Sequence, residues 1–321
     1  MKRAGLIVCA LCAVGLSQTD AQIDLSRLPM PGTDKPPKQI LTEKRAALRA
    51  FFDKQLANPQ AYAKLALTEC KGFPEGDLFP FVLPAYAYTS LAIDGDTEPA
   101  VAQQRVADLI ELSIPAVARN ARVAGRDGLL KLTHDKQRTT YLAHLNLAMA
   151  CYKRIGGDNR FDDLHHHLTQ LLHNAMAEQR GKYLKTFPWN DWPFETVPAM
   201  LSLYLVDQRT GKNEHGKLID KHLAWLRANA FDRRLQLPWS FVDARNGRTH
   251  PPRGCALSWR VALTAHLDRD EAKRIYEQYC KHYWLERSEL TGFREYPAGS
   301  GNRRADPDSG PILFDVGGSA T

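Results

Sequence analysis

The chain has 321 residues, 44% of them hydrophobic and 25% charged, ordinary values for a globular protein long enough for one large domain or two and a sizeable core. Its formal charge is +7, but both signs are interspersed and no block of Lys and Arg occurs. That pattern excludes a nucleic-acid-binding basic tract and describes a mildly basic solvated surface, with attraction of an anionic partner as the alternative.

Lys2 and Arg3, the apolar run Ala4 to Leu16, and the small residues around Thr19-Asp20-Ala21 form the pattern of a secretory signal peptide over residues 1–21. The mature protein is then expected in the periplasm or outside the cell, with an uncleaved N-terminal membrane anchor as the alternative. Removing Lys2, Arg3 and Asp20 leaves a charge of about +6. No other run has the length of apolar sequence a spanning helix needs, so no stable membrane span is expected after cleavage. Cys70, Cys151, Cys255 and Cys280 remain and form no CxxC pair, which speaks against a zinc or thioredoxin-type site. Cys151 and Cys280 fall on helical patterns as small buried hydrophobes. Cys70 and Cys255 fall in loop-like contexts, open to pairing or reactivity.

Residues 22–41, with Pro29, Pro31, Pro36 and Pro37, read as an extended lead-in, and a toroid domain is placed over 42–321. Thr42 opens a helix that carries Ala47, Leu48, Phe51, Phe52 and Leu56 at helical spacing and is stopped by Pro59. A pattern then repeats. An apolar helix, a tight polar turn and an amphipathic helix follow one another at 81–93 and 98–117, 141–155 and 161–177, 195–206 and 216–230, and 255–266 and 271–285. First helices recur roughly every 54 to 60 residues, the mark of a stacked architecture. A helix apolar on all sides must be buried on all sides, so the first of each pair faces inward and the second outward. The connections between pairs are long (118–139, 179–194, 231–254, 286–312), emerge on one end, and are where function is expected. The fold class is therefore all-α, an (α/α) toroid of helix hairpins. Closure takes about six pairs. A further apolar helix is expected to begin after Ile312, and the ring is expected to be incomplete at the C-terminus.

The inter-pair loops concentrate aromatic and acidic residues. Phe187 to Glu195 holds Trp189, Trp192, Asp191 and Glu195, with Glu195 at the mouth of an inward helix. Carboxylates beside aromatics suit acid/base chemistry on an apolar or sugar-like ligand; the competing reading has Asp191 or Thr196 capping the helix. The segment from Phe293 to Pro311 supplies Glu295, Tyr296 and Asp308, and the loop between them and the third pair adds Trp239 and Arg253. His144 stands on an inward helix that would line the cavity, as do Tyr86 and Tyr88. The candidate catalytic set is His144, Asp191, Glu195, Glu295 and Asp308, with Tyr86, Trp189, Trp192, Trp239 and Tyr296 as substrate-binding walls. His165-His166-His167 lie on an outer helix, where consecutive side chains splay and cannot converge on one ion, so no metal is assigned. The absence of GxGxxG, P-loop and GxSxG elements leaves no cofactor to assign and no serine-hydrolase reading.

The stretch Tyr141-Leu-Ala-His-Leu-Asn-Leu147, continuing through Tyr152 and Phe161 to His173-Asn174, resembles the linalool dehydratase/isomerase family. So do Leu201-Ser-Leu-Tyr204 with Asp207-Gln-Arg-Thr-Gly211 and, more weakly, Phe81 to Ile93 and Arg294-Glu295. The resemblance runs from about residue 80 onward. It implies a secreted (α/α) toroid that adds or removes water, and shifts an alcohol, on a small monoterpene without a cofactor. The family's active-site histidine matches His144. Its two loop cysteines fall on Thr186 and Glu195, its early Asp and Tyr have no counterpart, and Asp308-Ser-Gly-Pro311 departs from its pattern. The chain thus resembles a divergent member with carboxylate-based pocket chemistry: a lyase or isomerase acting on a small, largely apolar substrate. The alternatives are a toroid glycoside hydrolase or polysaccharide lyase, with two carboxylates across a Trp-lined cleft, and a non-catalytic or truncated hairpin array.

Overall fold

The computed structural model describes residues 37–71, 75–134, 139–180, 182–187, 190–243, 245–286, 291–302, 304–305 and 308–320. The expected signal peptide, most of the lead-in, and Trp189 lie outside the described residues. Helix α1 (Pro37–Gln55) starts earlier than expected, because a proline is tolerated in the first turn, where its missing N–H is no loss. Pro59 does not end the helical region either. It is the first residue of α2 (Pro59–Glu69), which the sequence reading lacked; the Asn58 side chain caps it by accepting from Ala61 N at 3.0 Å.

The four hairpins follow in the expected order: α3 (Phe79–Ile93) with α4 (Pro99–Asn120), a short α5 (Gly125–Leu129), then α6 (Thr139–Arg154) with α7 (Asp162–Glu178), α8 (Thr196–Thr210) with α9 (Gly216–Asn229), and α10 (Gly254–Thr264) with α11 (Arg269–Tyr283). The inner and outer assignment holds. Every residue of α6 from Thr139 to Tyr152 is buried, whereas α9 buries only Ile219, His222, Leu223 and Leu226, one stripe at helical spacing. Successive inner helices pack on one another, α3 on α6, α6 on α8 and α8 on α10. The turn after α8 closes on Gly211 at φ 68, a left-handed cap conformation that a side chain would strain.

One buried polar residue ties three helices of this core together. Asn146 of α6 donates from Nδ2 to Thr169 Oγ1 of α7 at 3.2 Å and to Ser202 Oγ of α8 at 3.0 Å, joining three helices. Asn146→Ala removes both bonds and leaves a small void, so urea unfolding is expected to show a loss of about 2–4 kcal/mol; a loss below about 0.5 kcal/mol would contradict the three-helix clasp.

The connecting loops carry four short antiparallel ladders. Their strands are β1 (Asn190–Asp191), β2 (Phe231–Asp232), β3 (Leu237–Pro238), β4 (Val242–Asp243), β5 (Trp284–Leu285), β6 (Gly292–Phe293), β7 (Ile312–Leu313) and β8 (Val316–Gly317). β1 pairs with β4, stitching two rim loops together; β2 pairs with β3, β5 with β6, and β7 with β8. The last pair corrects the expectation of a helix after Ile312. Phe314 and Asp315 hold φ of 50° and 75°, the two successive positive values of a tight hairpin turn, which no helix accommodates. Cys70 and Cys255 are not paired, and Cys280 is half-buried rather than buried; all four described cysteines are free. No described helix is long and apolar enough to cross a membrane.

Candidate functional site

His144 is fully buried and stands at the centre of a line of three side chains from three inner elements. Tyr86 of α3 places its hydroxyl 2.9 Å from His144 Nδ1 and donates to the His144 carbonyl at 3.0 Å. On the far side, Nε2 lies 3.2 Å from Oε2 of Glu195. Glu195 is held there because Pro193–Glu195 forms a single 3-10 turn immediately before α8, with Glu195 N donating to Trp192 O at 2.9 Å. The ring of His144 is boxed by Phe79, Tyr86 and Trp259, at centroid distances of 5.2, 6.1 and 5.5 Å. A phenol has one proton and an imidazole two nitrogens of interchangeable role. With the Tyr86 proton on the carbonyl, Nδ1–H donates to the phenol oxygen; with it on Nδ1, Nε2–H donates to Glu195. The line can therefore pass a proton between Glu195 and the Tyr86 oxygen. Burial, reinforced by Cys151 and Glu195, holds the Tyr86 phenol well above its ordinary pKa, so it stays neutral.

Glu75, which the sequence reading did not single out, faces the same place. It is 7% exposed, and its carbonyl accepts from Leu78 N and Phe79 N as the chain enters α3. Burial first, then the charges of Glu195 and Asp308, push its carboxyl up to about 8, so it carries a proton at neutral pH. The signal for it was positional: Glu75 precedes one inner helix much as Glu195 precedes another. Because the folded-state pKa lies above the ordinary 4.5, the proton is bound more tightly in the folded protein. That contribution is complete below pH 4.5 and is lost as pH rises through about 8, at up to about 1.4 kcal/mol per pH unit. Glu75→Gln removes this slope, so unfolding free energies measured from pH 5 to 9 should show the variant increasingly more stable than the parent. Parallel curves would sink the assignment.

A second cluster flanks the first. Arg253, the residue before α10, donates from Nε to Glu295 Oε1 at 2.7 Å and has Nη1 3.8 Å from Asp308 Oδ2. Glu295, 0% exposed, also accepts from Cys255 N at 3.0 Å and from the Cys255 thiol at 3.1 Å. It thus caps α10, whose Gly254 N donates to the Glu295 carbonyl at 2.8 Å. Burial raises the Glu295 carboxyl while Arg253 opposes the rise. The same burial, with Glu295 alongside, lifts the Cys255 thiol well above its ordinary range, so this cysteine is an inert donor rather than a nucleophile. Tyr296 lies beneath the Arg253 guanidinium, 5.8 Å from it to the ring centroid, and donates to Arg304 O at 2.9 Å.

Other described candidates lie in or beside the connecting loops. Asp191 is buried and accepts from Thr186 N at 3.4 Å, fastening its own loop at the β1–β4 ladder rather than capping α8. Thr196 accepts from Leu184 N at 2.9 Å. Trp192 packs against Phe194 and Phe241, and Trp239 packs on the core beside the β2–β3 ladder. Trp259 of α10 was not singled out in the sequence, where it reads as one more apolar residue of an inner helix.

Below the His144 box lies a cavity of about 100 Å³ lined from all four inner helices, including Leu83 and Tyr86 of α3, Leu147 and Cys151 of α6, Leu201 and Leu205 of α8, and Trp259 and Leu263 of α10. Its wall is mainly aliphatic and aromatic, with Thr89, Ser90, Arg154, Ser258 and His266 as its polar members, and Tyr86 and Trp259 both line it and touch His144. A scan of the chain against models of known protein families matches none of them.

Proposed function

We propose that this protein is an exported, cofactor-independent lyase or isomerase of an (α/α) toroid, acting on a small apolar alcohol or alkene. The observation that carries the reading is the proton line Tyr86–His144–Glu195 ending on an apolar cavity between four inner helices. A mostly apolar cavity reached by the Tyr86 end of the proton line suits such a substrate better than a sugar, which needs an open groove and many polar contacts. In the dehydration direction the Tyr86 hydroxyl gives its proton to the leaving oxygen and the C–O bond breaks to release water. The Tyr86 oxygen, or the line behind it, then takes a proton from the adjacent carbon, whose electron pair forms the double bond. The proton count returns to its start. His144 carries protons between Tyr86 and Glu195, neutral Glu75 sits beside Glu195 as a nearby proton store, and the face of Trp259 stabilises positive charge on the substrate carbon. The export assignment is supported by the Lys2 to Ala21 pattern, and the toroid by the consecutive packing of inner helices.

The test is a screen of allylic and tertiary alcohols, linalool among them, against oligosaccharides, with products read by gas chromatography and by reducing-sugar release. Alkene or rearranged alcohol that disappears in His144→Phe supports the reading. Sugar release, or alcohol turnover that survives His144→Phe, overturns it.

A further inference from the structure

The apolar cavity adjoins a second hollow, of about 590 Å³, at the C-terminal ends of the inner helices; Arg154, Leu205 and His266 line both. The second hollow has a different character. Lys153 and Arg154 from the end of α6, Arg209 from the end of α8, Arg269 from the start of α11 and His165 of α7 surround it, and among the described residues no carboxylate side chain lines it. Lys153 is paired with Asp162 at 2.9 Å. Arg154 and Arg209 are exposed, and among the described residues neither has a carboxylate within ion-pair distance. His165 is 3% exposed, yet its Nε2 has no hydrogen-bond partner. Burial, then the charge of Arg209, lowers its imidazole pKa to about 4.

Cations in a last helical turn are favoured by the helix dipole, by about 0.3–1 kcal/mol each. That does not account for separate hairpins delivering uncompensated arginines to one hollow, nor for a buried imidazole nitrogen left without the partner such groups normally have. An oxyanion would satisfy all three. His144 and Arg154 are ten residues apart on α6, about 15 Å along the axis at 1.5 Å per residue, so one elongated molecule can reach from Tyr86 to the arginines through the cavity.

We propose that the substrate is an apolar chain with a single anionic head, a carboxylate or a phosphate monoester. Arg154, Arg209 and His165 hold the head, and the chain runs through the cavity past Trp259 to Tyr86. This rests on Tyr86 being the reactive end, as in the function proposed above.

The test is calorimetric titration of the protein with sodium octanoate, octyl phosphate, 1-octanol and inorganic phosphate. The two amphipathic anions should bind at least about tenfold more tightly than 1-octanol or phosphate, the scale of one charge-assisted hydrogen bond. Arg154→Gln with Arg209→Gln should remove that advantage. Leu201→Trp, which fills the cavity, should abolish binding of both amphiphiles and 1-octanol. Equal affinity for octanoate and 1-octanol, octanoate binding indifferent to the arginine pair, or phosphate binding as tight as octyl phosphate would each overturn the proposal. Binding requires no turnover, so the two ideas fail separately. Octanoate affinity without turnover of any alcohol or hydroxy acid sinks the lyase reading alone, and turnover of neutral alcohols without anion preference sinks this one alone.

Discussion

Glu195→Gln is expected to lower turnover of the best alcohol from the screen by about 10²–10⁴-fold, the usual contribution of a positioned acid/base group, with little change in stability. Gln keeps the shape of the side chain, and its amide can still meet His144 Nε2 in place of the carboxylate 3.2 Å away. It cannot give up or take a proton. The Tyr86 hydroxyl would then lose the group that resets it after each proton transfer, and kcat should fall far more than KM changes, because the cavity proposed to take the substrate does not include Glu195 in its wall. Asp191→Asn supplies the contrast. Its carboxylate is tied to Thr186 in a rim loop, so that variant should retain turnover within about threefold, with any loss following loop stability. Steady-state kinetics on both variants decides the matter: equal losses, or full activity in Glu195→Gln, would remove the carboxylate from the proton line.

The largest effect on stability is expected at Glu295. Glu295→Ala takes the carboxylate from Arg253, itself 9% exposed, and leaves a nearly buried guanidinium with its main partner gone. It also frees the Cys255 N–H at the start of α10. Breaking one partner of a buried pair costs about 3–5 kcal/mol, and for a domain of this size that is a fall of roughly 10 °C in Tm. Glu295→Gln preserves the acceptor toward Cys255 N but loses the charge, and should fall between parent and Ala. Differential scanning calorimetry of the three proteins checks the order; a Glu295→Ala protein that melts with the parent would show that the cluster carries no net stability. The same comparison tests the role of Glu295, read from the sequence as catalytic, whose oxygens are occupied by Arg253 and Cys255 and have no open side.

The hairpins were legible in the sequence because burial on all sides leaves a plain mark: α6 has no polar stripe, and α9 has one. Helix ends and short local structures were less so. Pro59 reads as a stop and serves as a start, a difference that depends on the Asn58 side chain turning back to Ala61 N. The β7–β8 turn depends on backbone angles at Phe314 and Asp315 that neither residue type advertises. Of the site, His144, Glu195 and Tyr86 were within reach, since each lies on or just before an inward helix. Glu75 had only its position before an inner helix to mark it, because what distinguishes it is the company of Glu195 and Asp308 across more than a hundred residues of chain. Asp191 and the tryptophans stood out in the sequence because their loop is dense in aromatic and acidic residues, a composition that marks packing as readily as it marks chemistry.

Consider, finally, where the parts of the proton line come from. Tyr86, His144, Glu195 and Trp259 belong to, or directly precede, the inner helices of four different hairpins. Each hairpin is a local structure that can form quickly by itself, but no one of them holds two members of the set. During synthesis the phenol, the imidazole and the carboxylate would emerge in that order, and the imidazole would stay unboxed until the tryptophan arrived last. Onset of turnover in a refolding experiment should therefore lag behind recovery of helical circular dichroism, making activity a reporter of the final docking step rather than of helix formation.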